Sequence, residues 1–227
     1  MTSIEDLLAH NPVFGVLPAA KRGTLLHEAL PRRLRKGEVL LHRGEVWPFL
    51  FIVASGSICA QKESSEGRNL VVTTFNSGDI FWGLGFFYED MPMLVTLRAC
   101  ESTLLYLWPR ERLMPTIRES GEFSWELARL MVTKMARASE ILEEMTFQPV
   151  AGRLAKLLVN SFQNTTEGIT TRSLTLDEMA ARIGSTREMV CRFLHRFADE
   201  GIIDITRTEF RVIDAEKLAG LAQNSKG

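Results

Sequence analysis

The most constraining feature of this chain is a pair of short amphipathic helices predicted between residues 175 and 199. Thr175 is followed three residues later by Glu178, the pattern of a capping box, in which each side chain satisfies a free backbone donor of the other residue. Gly184 suits the left-handed residue that ends a helix. Apolar residues recur at helical spacing on both sides of it: Leu176, Met179, Ala180 and Ile183, then Val190, Leu194 and Phe197. Two helices joined by a tight turn are therefore expected.

The second of these helices has a polar face opposite its apolar stripe. Helical spacing places four residues there, namely Glu188, Cys191, Arg192 and His195. Many proteins use this arrangement to place side chains on base edges in the major groove of DNA. The alternative is a helical hairpin whose charges form a solvated surface.

The residues themselves favour the DNA-binding interpretation. Residues 184–194, GSTREMVCRFL, resemble the recognition helix of the Crp/Fnr family of bacterial transcription regulators, whose pattern is G-x-[ST]-R-E-x-V-x-R. The resemblance implies contacts with a double-stranded DNA operator by Arg187, Glu188 and Arg192, with Thr186, Cys191 and His195 beside them. The winged helix-turn-helix of that family continues into a short hairpin, and residues 202–205 and 210–213 fit two strands around the turn 206–209.

Charge places a limit on how this chain binds DNA. The formal net charge of the 227 residues is −1, and residues 149–227 hold 11 Lys and Arg against 10 Asp and Glu. Affinity must then come from the local arrangement of arginines rather than from bulk charge. The candidates are Arg182, Arg187, Arg192, Arg196, Arg207 and Arg211.

Several other function classes lack their sequence signals. Gly83-Leu84-Gly85 lacks the third glycine of a dinucleotide-binding fingerprint, and no Walker loop, H-E-x-x-H or G-x-S-x-G motif occurs, so we expect neither an enzyme nor catalytic residues. The three cysteines form no C-x-x-C pair, so neither a metal site nor a disulfide framework is implied. Without a signal peptide or membrane-spanning run, the expected location is the cytoplasm, with no membrane partner.

The sequence pattern of residues 38–107 is typical of a β-sandwich or jelly roll. Short helices are expected first, at residues 4–8 and 21–29; β-rich runs at 38–41, 49–53, 57–60, 70–74 and 104–107 then alternate with glycine turns. The spacing also resembles the cyclic-nucleotide-binding β-roll that precedes the winged helix in the Crp/Fnr family. The matching landmarks are residues 37–38, 44–45, 55–57, 66–68, 78–79 and 99–100.

A long helix without glycine or proline is predicted from about Glu122 to Gln148. Its apolar residues form a broken heptad seam: Leu127, Met131, Ala138, Ile141 and Met145, with Lys134 on the same stripe. We expect this seam to form a homodimer, as the resemblance implies; the alternative is that it packs on the chain's own β-roll. Pro149 then marks a hinge before the first helix of the DNA-binding domain, since proline cannot donate to a continuing helix.

The expected fold is therefore α+β. It consists of an N-terminal jelly-roll-like β-roll sensor domain (residues 1–120), a dimerisation helix (121–148) and a C-terminal winged helix-turn-helix domain (149–227). An event in the β-roll would be relayed through the helix and hinge to two recognition helices, one helical turn apart on a near-palindromic operator. The loop 163–168 resembles in position the surface with which the family contacts RNA polymerase.

The effector pocket departs from the family pattern. Family members that bind cyclic AMP hold it with a Gly-Glu-Leu turn, an Arg-Ser pair and a Thr-Ser pair on the long helix. The corresponding residues here are Trp82, Gly83 and Leu84, then Asp90 and Met91, then Ala138 and Ser139. An acid repels the cyclic phosphate and methionine offers no hydroxyl, and nothing in the sequence places Arg98 or Lys62 there instead. We therefore do not expect cyclic AMP to bind.

Other sensing modes stay open, with one exception. The iron-sulfur sensor of this family needs N-terminal cysteines, and the first 58 residues contain none. A haem-based gas or redox sensor would need an axial ligand such as His42, Cys59, Cys100 or Met91. A small apolar effector fits the aromatic residues Phe81, Trp82, Phe86, Phe87 and Tyr88, which otherwise fill the core. The remaining alternatives are effector-independent activity and a sensor or adaptor module that binds protein instead of DNA.

Overall fold

The computed structural model describes residues 3–65, 67, 69–162, 169–171, 174–206 and 209–223. The chain divides into two compact units. The first unit comprises Met1–Lys62 and Val72–Arg137, and the second comprises Glu63–Val71 and Ala138–Gly227. Within the described residues, no helix is both long enough and apolar enough to cross a membrane.

Three helices open the chain: α1 (Ile4–His10), α2 (Pro12–Gly15) and α3 (Ala19–Glu28). The Ser3 hydroxyl caps α1 by accepting from the Asp6 backbone N–H. Asn11 caps α2, and its Nδ2 also donates to the Gly78 carbonyl at 3.0 Å, which joins these helices to the β-roll. The prediction of short N-terminal helices is confirmed, with a short extra helix between them.

The strands after α3 form the predicted roll of two antiparallel sheets. They are β1 (Leu30–Leu34), β2 (Val39–Leu41), β3 (Phe49–Ser55), β4 (Ser57–Glu63), β5 (Asn69–Asn76), β6 (Ile80–Trp82), β7 (Thr96–Ala99) and β8 (Thr103–Pro109), with helix α4 (Leu84–Phe87) after β6. One sheet has the order β1-β8-β3-β6 and the other β2-β7-β4-β5. All five predicted strands are present, while β1, β6 and β7 were missed.

Strand β3 is apolar from Phe49 to Ala54 because both of its faces are covered. Phe51 and Val53 face a core between the two sheets, whereas Leu50 and Ile52 face a second core against the helices. Since successive side chains point to opposite faces of a strand, both faces of β3 are buried. In the second core, the Trp108 indole donates to the Leu25 carbonyl at 2.7 Å.

Helices α5 (Arg110–Glu119) and α6 (Gly121–Phe147) follow the roll. The predicted long helix is confirmed, but the prediction that Leu127 lies in a seam between copies is wrong. Its side chain is 2% exposed and packs with Phe123 in the core of its own chain. Lys134, also placed on that seam, lies over the Phe75 ring at 5.2 Å and 3.9 Å from an Asp79 carboxylate oxygen.

The second unit contains the remaining elements. They are α7 (Val150–Phe162), β9 (Ile169–Thr171), α8 (Leu176–Ile183), α9 (Arg187–Asp199), β10 (Ile203–Ile205), β11 (Glu209–Val212) and α10 (Ala215–Gln223). The three strands form an antiparallel sheet in the order β10-β11-β9, so the predicted wing hairpin is confirmed and β9 adds a strand to it. The wing residues 207–208 and the loop 163–168 lie outside the described residues.

The cysteine pattern implies no disulfide framework, but the structure contains one disulfide. Cys59 on β4 is disulfide-bonded to Cys100, which directly follows β7, with the two Cα atoms 5.9 Å apart. The two residues are 41 positions apart in the chain and become neighbours only because β4 pairs with β7. Local cysteine spacing carries no information about such a cross-strand pair.

Candidate nucleic-acid interface and sensor pocket

The turn between α8 and α9 is built as the sequence predicts. The Glu178 N–H donates to the Thr175 hydroxyl at 3.2 Å, and the Thr175 N–H donates to the Glu178 carboxylate at 2.7 Å, which completes the capping box. Gly184 adopts φ 61° and ψ 47°, and its N–H donates to the Ala180 carbonyl. A Cβ on Gly184 would lie 2.9 Å from the sulfur of the flexible Met145 side chain, which can move, so it is the left-handed backbone that favours glycine here.

Helix α9 presents a polar face above a buried stripe, as predicted. Thr186 caps it by accepting from the Met189 N–H at 3.3 Å. Val190, Leu194 and Phe197 are buried in the core of the second unit. On the opposite side Glu188, Arg192 and His195 are exposed and Cys191 is partly exposed. The helix therefore carries its polar residues where another molecule can reach them.

The arginines of α9 have exposed, weakly held head groups. The Arg187 Nη1 lies 3.4 Å from the Asp177 carboxylate on α8, and the Arg196 Nε donates to Glu200 at 3.0 Å. The Arg192 Nη2 lies 2.7 Å from the Met189 sulfur, and its Cζ is 5.7 Å from the centre of the Phe193 ring. Exposed ion pairs contribute little free energy, so these head groups can reorient towards a ligand.

Glu188 is held in its ionised form. Hydrogen bonds from its own backbone N–H and from the Thr186 side chain, with a smaller effect of Arg187, lower the pKa of its carboxyl below the ordinary value. At neutral pH this side chain is therefore only an acceptor. An ionised carboxylate can therefore accept a hydrogen bond from the amino group of cytosine.

Two of the remaining arginine candidates differ in availability. Arg182 is half-buried, and this burial lowers the pKa of its guanidinium, with the charge of Glu178 acting in the opposite direction. Arg211 on β11 is exposed, whereas Arg207 lies outside the described residues. Arg182 is thus less free than Arg211 to meet a phosphate.

Sequence reasoning missed a set of polar contacts where α6 meets α7. The Arg153 Nε donates to the Ile183 carbonyl at 2.8 Å, and its Nη1 donates to the Gln148 carbonyl at 2.6 Å. Lys156 on α7 is also paired with Glu144 on α6. The chain breaks its helix at residues 148–149, as Pro149 predicts, but side chains bridge the break.

Aromatic side chains occupy much of the space between the sheets of the roll. Phe51, Phe75 and Phe81 contact one another with ring centres 4.8 to 6.3 Å apart, and Trp47 lies 4.8 Å from Phe49. The other predicted aromatics, Trp82, Phe86 and Phe87, pack in the core against the helices instead. Tyr88 is exposed.

Gly83, at the position of the family's glutamate, is tightly enclosed. A Cβ there would overlap the backbone oxygen of Trp47 and come within 2.8 Å of the Trp47 side chain. Leu84 beside it packs against the core between the sheets. The bulk of Trp47, which sequence reasoning missed, therefore excludes any side chain at position 83.

The structure does not bring the other pocket candidates into the roll. Asp90 and Met91 are exposed, and Asp90 has a positive φ of 61°. Met93, which sequence reasoning overlooked, is the residue of this segment that is buried between the sheets. Arg98 is exposed and donates to the Gly37 carbonyl at 2.7 Å.

The remaining pocket and ligand candidates are exposed or bonded to each other. Ala138 and Ser139 on α6 are exposed, as is Lys62 on β4. Of the haem-ligand candidates, His42 and Met91 are exposed, and the two cysteines are bonded to each other. Among the described residues, no group of three or more His, Cys, Asp or Glu side chains is arranged to hold a metal ion.

Comparison with known proteins agrees with this architecture. Residues 31–120 match the cyclic nucleotide-binding domain, and residues 152–221 match the Crp-like helix-turn-helix domain. Over 226 residues the chain is 28% identical to the CRP-like cAMP-activated global transcriptional regulator of Mycobacterium tuberculosis, covering 97% of this chain and 100% of that protein. The chain belongs to the Crp/Fnr family of bacterial transcription regulators.

Other members of the Crp/Fnr family show the same likeness at lower identity. The cAMP-activated global transcriptional regulator CRP of Escherichia coli O157:H7 is 24% identical over 169 residues, which cover 72% of this chain and 80% of that one. A Crp/Fnr structure from Eubacterium rectale superposes with a TM-score of 0.77 at 21% identity, covering 94% and 98% of the two chains. The c-di-GMP responsive regulator CLP of Xanthomonas campestris gives 0.76 at 20% identity, covering 86% and 99%. The structures establish a shared fold.

Proposed function

We propose that this Crp/Fnr protein is a homodimer that binds a near-palindromic operator and reads its bases with α9. The observation that carries the proposal is the exposed group formed by Arg187, Glu188 and Arg192 above a buried apolar stripe. Arginine forks match guanine O6 and N7, and an ionised glutamate accepts from cytosine N4. Because the same three residues occur in the family pattern, we expect a GA step in each half-site.

The exposed surface of α6 supports the dimer. Its exposed apolar residues recur at heptad-compatible spacings of seven, three and seven: Trp125, Val132, Met135 and Leu142. This stripe replaces the seam predicted from Leu127 to Met145. Met131 and Ala138 lie at its edge and are exposed, whereas Ile141 and Met145 are half-buried. A two-fold pair of such helices would place one α9 in each of two successive major grooves.

The effector proposed here is a small neutral molecule rather than cyclic AMP. Both relatives described above are cAMP-activated by name, but Gly83 in this chain cannot bind the ribose through a carboxylate. The Trp47 Nε1 is buried and has no hydrogen-bond partner among the described residues. A buried donor left unpaired costs about 1–3 kcal/mol, which an apolar ligand with one acceptor oxygen would recover. A haem sensor is not favoured, because its candidate ligands are exposed or disulfide-bonded.

Selection from a random duplex library tests the DNA-binding function. We expect enriched sequences to contain two inverted half-sites, each with a GA step, whose centres lie about 10 base pairs apart or a multiple of that. Enrichment of no sequence, together with equal affinity for all duplexes, would favour the protein-binding adaptor instead. The proposed contact of loop 163–168 with RNA polymerase would be tested separately, by transcription from a promoter carrying the selected operator.

A further inference from the structure

We propose that Cys59 and Cys100 form a reversible dithiol–disulfide pair that adjusts operator binding from within the β-roll. Only the last step of this inference, the effect on the operator, rests on the proposed function. The two Cα atoms are 5.9 Å apart, within the range that a disulfide bridges without backbone movement. The pair can therefore open and close on one backbone arrangement.

The position of the pair allows it to open without disturbing the core. On paired strands β4 and β7, Cys59 lies opposite Arg98 and Ile58 lies opposite Ala99. Ile58 and Ala99 face the core between the sheets. Because side chains alternate along a strand, Cys59 is on the other face of that sheet. Breaking the bond therefore removes a link between strands and leaves the core packing in place.

The two cysteines differ in exposure, and we infer the order of the chemistry from that difference. Cys59 is 1% exposed, whereas Cys100 is half-buried. A low-molecular-weight thiolate attacks the Cys100 sulfur, forms a mixed disulfide there and releases Cys59 as a thiolate. A second thiolate attacks the sulfur of the bound small molecule and releases Cys100, giving one small disulfide, and the two cysteine thiolates take up two protons. A small disulfide reverses both steps.

The bond anchors a strand that leads into the second unit. Beyond Cys59, β4 continues to Glu63, the first residue of the segment Glu63–Val71, which groups with the unit that contains α9. In the oxidised form β4 is tied covalently to the β7 side of the sheet. In the reduced form backbone hydrogen bonds, such as that from Cys100 N–H to the Ser57 carbonyl at 2.9 Å, and the packing of the core hold the same strands without a covalent bond. The freedom of the end of β4 thus depends on the redox state.

The test uses full-length protein with Cys191→Ser, so that only the pair responds, and all comparisons stay within that background. The protein is equilibrated with oxidised or reduced glutathione, alkylated and digested, and the peptides are identified by mass spectrometry. We expect a linked Cys59–Cys100 peptide after oxidation and two alkylated thiols after reduction. Reduction should lower the Tm by about 5–15 °C, because the closed loop restricts the unfolded chain. The operator Kd should change at least about fivefold.

A variant without the pair provides the matched control. Cys59→Ala combined with Cys100→Ala in the Cys191→Ser background leaves no thiol to react, so it should show one Tm and one Kd in both glutathione buffers, with the Kd close to that of the reduced parent. Free thiols at both positions after oxidation would show that Cys59 and Cys100 do not form a disulfide. A linked peptide with an unchanged Kd would show that the disulfide forms but does not alter operator binding. Absence of operator binding by the protein that retains Cys191, in both redox forms, would overturn the proposed function and the operator step with it.

Discussion

The guanidinium of Arg187 lies 3.4 Å from the carboxylate of Asp177, so a proposed base-reading side chain is paired with the preceding helix in the free protein. Both side chains are more than half exposed, and an exposed pair of this kind is worth at most about 1 kcal/mol. Binding of guanine by Arg187 requires that this pair separate. Asp177 therefore competes with the operator for the same guanidinium.

Replacement of Asp177 with Asn should tighten operator binding by at most about fivefold, because Arg187 no longer has to leave a partner. Fluorescence anisotropy with the selected operator measures the effect. The control is a double-mutant cycle with Arg187→Ala. If Asp177→Asn tightens binding equally with and without Arg187, Asp177 acts on the DNA phosphates and not through the arginine.

Replacement of Arg192 with Ala should weaken operator binding by about 1–3 kcal/mol and relax the preference at one base pair. Glu188→Ala should do the same at a different base pair. Binding to unrelated duplexes depends mainly on phosphate contacts and should change much less. Competition assays against operators substituted at single positions separate these effects. An equal loss of affinity for all DNA sequences would indicate that these side chains contact the DNA backbone instead.

The lowered pKa of Glu188 predicts how its contact depends on pH. Because the pKa of the Glu188 carboxyl is lowered, this group stays ionised at every pH above that lowered value. Its favourable interactions are lost only as pH falls through the lowered pKa. Discrimination at its base pair should therefore be constant across neutral pH. Glu188→Gln, which keeps an acceptor oxygen but carries no charge, should reduce the discrimination equally at every pH. Discrimination that titrates near neutrality would contradict this assignment.

The dimer is tested by placing a charge on the exposed stripe of α6. Leu142→Asp should give a monomer with little operator affinity, because an unpaired charge buried between two helices is strongly destabilising. Thr133→Asp is the matched control, since Thr133 is exposed on the side of the helix away from that stripe. Light scattering measures the mass of both variants. A Leu142→Asp protein that remains dimeric would place the interface elsewhere.

Calorimetric titration with millimolar cyclic AMP should give no saturable heat. The reason is that Trp47 leaves no room for a side chain at Gly83, and Asp90 and Met91 are exposed rather than directed into the roll. The same titration with the CRP protein of Escherichia coli serves as the positive control. Micromolar binding would mean that another cation, such as Arg98, leaves its contact with Gly37 to hold the phosphate.

The parts of this molecule that the sequence predicts well are those determined by local chemistry. The capping box at Thr175, the left-handed Gly184 and the apolar stripe of α9 each depend on residues within a few positions, so helical spacing is enough. The sequence does not predict β1 because this strand is charged at Arg32 and Arg33 and exposed over most of its length. Its place in the sheet depends on its pairing with the distant strand β8.

Long-range pairing explains the other errors. Leu127 and Trp125 are both large apolar residues of one helix, and the sequence alone does not say which of them meets the core of its own chain. Trp47 influences Gly83 across 36 positions, and Cys59 meets Cys100 through strand pairing. Each depends on tertiary contacts that periodicity does not encode.

Arg153 has a consequence for how a signal could travel in this protein. One guanidinium holds the carbonyl of Gln148, just after α6 ends, and the carbonyl of Ile183, where α8 ends before its turn into α9. A break in a helix often acts as a hinge, but here Arg153 links the C-terminal end of α6 to the C-terminal end of α8 by hydrogen bonds. The end of α6 and the turn into α9 should therefore move together.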